Sequence, residues 1–162
     1  MELQSEPHIA DRANTFPWAP VLFAIAIIAG FAGSALIPLP WPGLDDGPAH
    51  VIGFGFGLIA IVLIATALLS LKQGGTTVMP NGISTTLMTT GPYKWLRNPI
   101  YLGEVFILLF FAEVSKNVWF VPVALLFAVI ITRLQIVPEE RHLEHRFGYT
   151  YRAYKDRTRR WI

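Results

Sequence analysis

Residues 100 to 137 read IYLGEVFILLFFAEVSKNVWFVPVALLFAVIITRLQIV, two apolar runs parted only by Ser115, Lys116 and Asn117. So tight a connection between apolar helices makes a hairpin whose arms lie antiparallel. The second arm, Val118 to Val137, is uncharged apart from Arg133 and has the length, about 20 residues, that crosses a bilayer. The first arm, Ile100 to Val114, is shorter and carries Glu104 and Glu113. It fits a helix that is tilted or penetrates only part of the bilayer.

Two more uncharged runs precede the hairpin, Trp18 to Leu39 and Val51 to Leu71. With 53% of its 162 residues hydrophobic and a mean hydropathy of +0.47, the chain is too apolar for a soluble domain of this size. The expected fold is all-α and integral to the membrane: about four transmembrane helices, including a C-terminal helical hairpin, plus a cytoplasmic amphipathic tail helix. We read a single membrane domain over 1–162. It divides into a cytoplasmic N-terminal segment (1–16), two transmembrane helices (17–71), a cytoplasmic loop (72–98), the hairpin (99–137) and the tail helix (138–162). There is no cysteine, which excludes disulfides, thiolate metal sites and a cysteine nucleophile. The N-terminus lacks the basic start of a secretory signal and is expected to be retained.

Orientation follows from Lys and Arg. The connection PLPWPGLDDGPAH has neither and carries Asp45 and Asp46, whereas the next one holds Lys72, Lys94 and Arg97, and the tail holds Arg141, Arg146, Arg152, Lys155, Arg157, Arg159 and Arg160. The positive-inside rule therefore places both termini and the long loop in the cytoplasm, in the manner of a prokaryotic inner-membrane protein. The net charge of +2 and the pI near 9.1 reflect that basic tail. Tyr149, Tyr151, Tyr154 and Trp161 suit it to a lipid headgroup layer, and no nucleic-acid partner is expected.

The loop KQGGTTVMPNGISTTLMTTGPYKWLRNP is much longer than most connections, and such loops tend to be functional. Its turn signals at Gly74-Gly75, Pro80-Asn81-Gly82 and Gly91-Pro92, with Val78, Met79, Leu87 and Met88 between them, predict an ordered loop on the membrane surface. GFGFGL at 53–58 imitates a phosphate-binding glycine motif. It lies inside an apolar span with no strand before it, so Gly53 and Gly57 read as a G-x-x-x-G packing face, matched by Ala26, Gly30 and Ser34 on the first helix.

Chemistry concentrates in two stretches. GPYKWLRNPIYLGE (91–104) puts Tyr93, Lys94, Arg97, Asn98 and Tyr101 at the entry of the hairpin, and PEERHLEHRFGYTYRAYKDRTRRWI (138–162) follows its exit. Both belong to the same end of one hairpin, so Arg97, Asn98 and Tyr101 must come within reach of Glu139 and Glu140. Leu143, Phe147, Tyr151 and Tyr154 recur at helical spacing and predict an amphipathic helix, with Arg146 on the face of Glu139 and His142. His142 and His145 have no convincing third ligand, and no metal is expected. Glu104 has two readings, a functional intramembrane carboxylate or a side chain that snorkels or pairs with Arg97.

The two stretches, in this order with a hairpin between them, resemble the paired signature of the integral-membrane methyltransferases that include isoprenylcysteine carboxyl methyltransferases and phospholipid N-methyltransferases. In that family an R-H-P-x-Y-x-G segment and a distant Glu-Glu pair enclose S-adenosylmethionine. The resemblance covers roughly residues 75 to 162. It implies that Tyr93, Arg97, Asn98, Pro99, Tyr101, Gly103, Glu139 and Glu140 hold S-adenosylmethionine, with Glu139 and Arg146 as the candidate catalytic residues. Asn98 stands where many relatives have histidine. An amide can donate and accept hydrogen bonds but is no base, so cofactor holding is its only assignment.

Elementary chemistry agrees. Carboxylates accept from an ammonium or a ribose diol, aromatic faces attract a sulfonium, and a glycine lets backbone approach closely. Methyl transfer is an in-line displacement, so alignment supplies much of the rate. The expected acceptor is a lipid or lipid-modified molecule. Arg146 could orient its carboxylate or its phosphate, and an amine acceptor would also require a base. A membrane reductase of the sterol-reductase kind is the competing reading, although Glu139 and Glu140 suit a polyanionic nicotinamide cofactor poorly. A non-catalytic membrane adaptor is the third.

Overall fold

An apolar run in lipid must satisfy its backbone polar groups internally, and a helix does so within one segment. The structure, a computed structural model, describes residues 18–42, 47–75 and 86–162. Helix α1 spans Trp18–Leu36, α2 Gly47–Gln73, α3 Pro99–Val114, α4 Phe120–Ile131 and α5 Val137–Asp156. A 3₁₀ turn at Gly91–Lys94 precedes α3, and a π-helical turn at Thr132–Ile136 joins α4 to α5. Among the described residues there is no β-strand, only an isolated bridge between Leu96 and Arg159. The N-terminal segment 1–16, Asp45, Asp46, Val78, Met79 and the Pro80-Asn81-Gly82 turn lie outside the described residues.

Among the described residues three helices are long and apolar enough to cross a membrane: Trp18–Leu36, Gly47–Gln73 and Phe120–Asp156. The last is kinked at Gly148, and its part before the kink would extend about 42 Å, beyond a hydrocarbon core of about 30 Å. At 16 residues α3 is shorter, about 24 Å, as its sequence predicts.

Small residues set the packing of α2 on α3. A Cβ at Gly53 would strike the side chain of Glu113, and one at Gly57 would sit 2.7 Å from the Phe110 ring. Gly103 of α3 returns the relation, with Ile64 Cγ1 2.5 Å from where its Cβ would be. Ala26 and Gly30 of α1 are buried, and a Cβ on Gly30 would lie 2.5 Å from the Phe120 ring. At the next turn Gly33 meets a ring as well, that of Trp119. The hairpin turn is tied to α1: Asn117 Nδ2 donates to the Gly30 carbonyl at 2.9 Å, and Trp119 Nε1 to that of Ile37 at 2.8 Å. Leu108, Ala112, Phe120, Phe127, Ile131 and Ile136 form the core between the hairpin arms.

The sequence predicts a separate tail helix beginning at Pro138, and the structure differs in two ways. First, α4 runs into α5 without a break. In a regular α-helix the Pro138 ring would clash with the carbonyl of Leu134, and the wider π turn lies immediately before it. Second, the helical phase breaks at Gly148, whose φ of 51° and ψ of −121° favour glycine. Leu143 and Phe147 therefore do not share one uninterrupted stripe with Tyr151 and Tyr154. The helix ends at Asp156, and the last residues leave it to pair with the loop before α3.

Candidate functional site

The site begins with a turn that only glycine makes comfortably. Gly91 has φ +58°, and its Cα lies against the Ser70 hydroxyl of α2, leaving no room for a side chain. Pro92 then fixes the start of the 3₁₀ turn, which brings Tyr93 into the interior. The Tyr93 carbonyl accepts a hydrogen bond from the Tyr154 hydroxyl at 2.8 Å. The next residues run beside the C-terminal segment: Arg97 N donates to the Arg159 carbonyl at 2.8 Å, and Arg159 N to that of Trp95 at 2.9 Å. Asn98 is buried and donates through Nδ2 to the Arg160 carbonyl at 3.0 Å, and the fully buried Pro99 opens α3.

Two carboxylates meet this junction. Arg97 Nε donates to Glu140 Oε1 at 3.0 Å, and its Nη1 donates to the carbonyls of Lys155 at 2.9 Å and Thr158 at 2.5 Å. Arg160 grips the same carboxylate with Nε at 3.1 Å and Nη2 at 2.6 Å. Burial alone would raise the pKa of Glu140, but the hydrogen bonds from Arg160 and Arg97 outweigh it and hold the group below the usual carboxylate value. Glu139 behaves oppositely. Part of its side chain is exposed, yet the carboxyl is enclosed, and this burial raises its pKa against the lowering by hydrogen bonds from Tyr101 and Gln135. The Tyr101 hydroxyl donates to Glu139 Oε2 at 3.1 Å. The neighbouring glutamates are thus divided: Glu140 is an ionised anchor, and Glu139 is a carboxyl with one phenolic partner and spare acceptor capacity.

The structure brings Tyr93, Arg97, Asn98, Pro99 and Tyr101 to one end of the hairpin with Glu139 and Glu140. Gly103 faces the other way, against Ile64 and Ala60 of α2. Arg146 is exposed, with no partner among the described residues. Arg97 pairs with Glu140 and not with Glu104. Beside the junction a groove of about 300 Å³ is lined by Thr89, Lys94, Tyr154 and Arg157.

Sequence reasoning missed Arg160, the carbonyls of Lys155 and Thr158, and Gln135. An arginine-rich tail reads the same whether its cations meet headgroups or one buried glutamate, so nothing singles out Arg160. Gln135 had a weak signal, because it stands four residues before Glu139, the spacing of neighbours on a helix.

With this geometry in hand, the comparison with known families is decisive: the model of the family described as phospholipid methyltransferase matches residues 48–150. The chain belongs to the phospholipid methyltransferase family. The matched region runs from α2 into α5, and so contains Arg97, Tyr101, Glu139 and Glu140, although Thr158 and Arg160 lie beyond it. A stretch of 38 residues is also 45% identical to an uncharacterized protein of Haemophilus influenzae. That stretch is 24% of this chain, and the chain spans about 60% of the length of that curated relative. Membership of this family and three membrane-length apolar helices make the chain a multi-pass membrane protein.

Proposed function

We propose that this phospholipid methyltransferase family member is an S-adenosylmethionine-dependent enzyme that methylates a lipid or lipid-modified acceptor. In this reading α1, α2 and both hairpin arms enter the bilayer, and the termini, the 72–98 loop and α5 are cytoplasmic. The observation that carries the proposal is the pairing of Tyr101 with Glu139 beside the Arg97–Glu140–Arg160 knot, at the mouth of the hairpin. A water-soluble methyl donor can arrive there from one side and an apolar acceptor from the other.

The groups present suit S-adenosylmethionine. Its ammonium and ribose diol need acceptors, and its sulfonium needs aromatic or anionic neighbours. Glu139 has spare acceptor capacity, and the Tyr151 hydroxyl is buried with no hydrogen-bond partner among the described residues. Once bound, the cofactor supplies an electrophilic methyl group. The chain's own part is positioning. Glu139 accepts from the ammonium or the diol, and Tyr93 and Tyr101 offer a π face to the sulfonium or the adenine. Arg97, Asn98, Pro99 and Glu140 hold the loop, α3 and α5 in register, and Gly103 lets α3 sit close to α2. Arg146, exposed on α5, orients an acceptor's phosphate or carboxylate.

Calorimetry on the purified protein tests this reading. It should bind S-adenosylmethionine and its demethylated product and leave NADPH unbound. NADPH binding with no response to either methyl-donor form would point to a reductase.

A further inference from the structure

The cations where the loop before α3 meets the C-terminal segment fall into two sets. Arg97 and Arg160 are held by Glu140, and Lys155 by Glu144. Lys94 and Arg157 make no ion pair among the described residues, yet both line the groove of about 300 Å³ beside the site, together with Thr89 and Tyr154. No acidic side chain lines that groove, and the neighbouring Asp156 is exposed outside it. Two like charges facing one concavity repel each other, and an anion between them relieves the repulsion.

The lining suits a phosphate. A guanidinium can grip two of its oxygens in parallel, an ammonium can meet a third as a point charge, and the Thr89 hydroxyl can add a donor. The Tyr154 hydroxyl already donates to the Tyr93 carbonyl at 2.8 Å, so that side chain serves as wall. The surroundings suit a phosphate carried on a lipid. Trp95, the residue after Lys94, is 71% exposed, and Ile162 at the end of the C-terminal segment is 78% exposed. Exposed aromatic and apolar side chains beside cations are the composition of a membrane interface. Pro99 opens the first arm of the hairpin shortly after Lys94, which sets the groove beside the arm's entry. A zwitterionic headgroup would bring its own cation to two unpaired ones, so a headgroup with net negative charge fits better.

We propose that this groove binds the phosphate of an anionic phospholipid, which clamps the C-terminal segment onto the loop before α3. The lipid is a bound ligand and not the methyl acceptor, because Tyr93, Tyr101 and Glu139, the side chains placed around the donor, take no part in the lining. The two cations belong to the two segments that the Leu96–Arg159 bridge joins. Lys94 precedes Trp95, whose carbonyl accepts from Arg159 N, and Arg157 precedes Thr158, whose carbonyl accepts from Arg97. One phosphate held by both cations adds a fastening to the junction that orders Arg97. The proposal goes beyond the methyltransferase reading and stands without it.

The test uses full-length protein in neutral detergent, without methyl donor, titrated with short-chain phosphatidylglycerol, short-chain phosphatidylcholine or inorganic phosphate. Wild type should bind phosphatidylglycerol about tenfold or more tightly than either of the others. Lys94→Gln and Arg157→Gln should each weaken phosphatidylglycerol binding by about tenfold or more, the scale of a lost hydrogen bond to a charged group. Arg157→Lys, which keeps the charge but not the fork, should fall between wild type and Arg157→Gln. Arg152→Gln removes an exposed cation of α5 outside the groove and should bind as wild type does. Saturating phosphatidylglycerol should also slow tryptic cleavage after Arg159 and Arg160 in wild type and not in Arg157→Gln. Equal losses in Arg152→Gln and Arg157→Gln would mean diffuse surface attraction only and overturn the proposal. Wild-type affinity in Lys94→Gln and Arg157→Gln overturns it too, as does phosphatidylcholine or inorganic phosphate bound as tightly as phosphatidylglycerol. Cleavage that saturating lipid does not slow overturns the clamp.

Discussion

Arg97 and Glu140, 43 residues apart in sequence, meet at 3.0 Å where the two arms of the hairpin come back together. Both side chains are nearly closed to solvent, at 11% and 8% exposure. The pair joins the loop before α3 to α5, and every candidate site residue except Gly103 and Arg146 lies close to it or to the adjoining Tyr101–Glu139 bond.

Removing one partner of a buried pair leaves the other uncompensated. Arg97→Ala should therefore lower stability by about 3 to 5 kcal/mol, because it also strips the Lys155 and Thr158 carbonyls of their donor. Arg160 is much more exposed, and its loss should cost less, about 1 kcal/mol or below. Chemical unfolding in detergent would rank the two, and equal effects would show that the knot is not organised around Arg97.

The two adjacent glutamates should respond to pH with opposite sign. The pKa of Glu140 is depressed in the fold, so its contribution is complete above the ordinary carboxylate value, about 4.3, and is lost as pH falls through the lower folded value. The pKa of Glu139 is raised, so its contribution is complete below the ordinary value and is lost as pH rises through the higher folded one. Near neutrality Glu140→Gln should destabilise, whereas Glu139→Gln should be neutral or stabilising. Unfolding midpoints of both variants from pH 3 to 8 check this, and a shared sign would contradict it.

Gly103 separates packing from binding. A methyl group there must displace Ile64, and overpacking of this kind costs about 1 to 3 kcal/mol. Gly103→Ala should lower stability while its folded fraction keeps its affinity for S-adenosylmethionine. Lost affinity at unchanged stability would instead place its backbone against the cofactor.

The hairpin was legible because three polar residues between two apolar runs leave the chain no other path. The meeting of Arg97 and Tyr101 with Glu139 and Glu140 followed from that topology alone. The G-x-x-x-G of Gly53 and Gly57 was likewise readable as a packing seam, since a glycine motif inside an apolar span has no ligand-binding turn to serve. Other features were hidden for physical reasons. The Gly148 kink needs one backbone angle that a helical periodicity does not report, and the π turn depends on how the chain accommodates Pro138. Arg160 became distinguishable from the other tail cations only when its carbonyl was seen accepting from Asn98 and its guanidinium on Glu140. For Glu104 the sequence allowed a functional carboxylate or a side chain that snorkels or pairs with Arg97, and only the pair is removed by the engagement of Arg97 with Glu140.

Deleting residues 157–162 should remove Thr158, Arg159 and Arg160 while leaving all the helices intact. The Leu96–Arg159 bridge would be lost, and Arg97 would keep only Glu140 and the Lys155 carbonyl. The shortened protein should still insert in the membrane but bind S-adenosylmethionine at least tenfold more weakly. Wild-type affinity after the deletion would show that the C-terminal segment does not order the site.

The most direct measurement follows a labelled methyl group. Purified protein in phospholipid bilayers is supplied with methyl-labelled S-adenosylmethionine, and the extracted lipids are counted. Label should enter the lipid fraction with wild type, and Glu139→Gln should bind the donor more weakly by about 1 to 3 kcal/mol and transfer correspondingly less at limiting donor. Absence of label from every lipid, from a protein that is folded and binds NADPH, would contradict the methyltransferase reading.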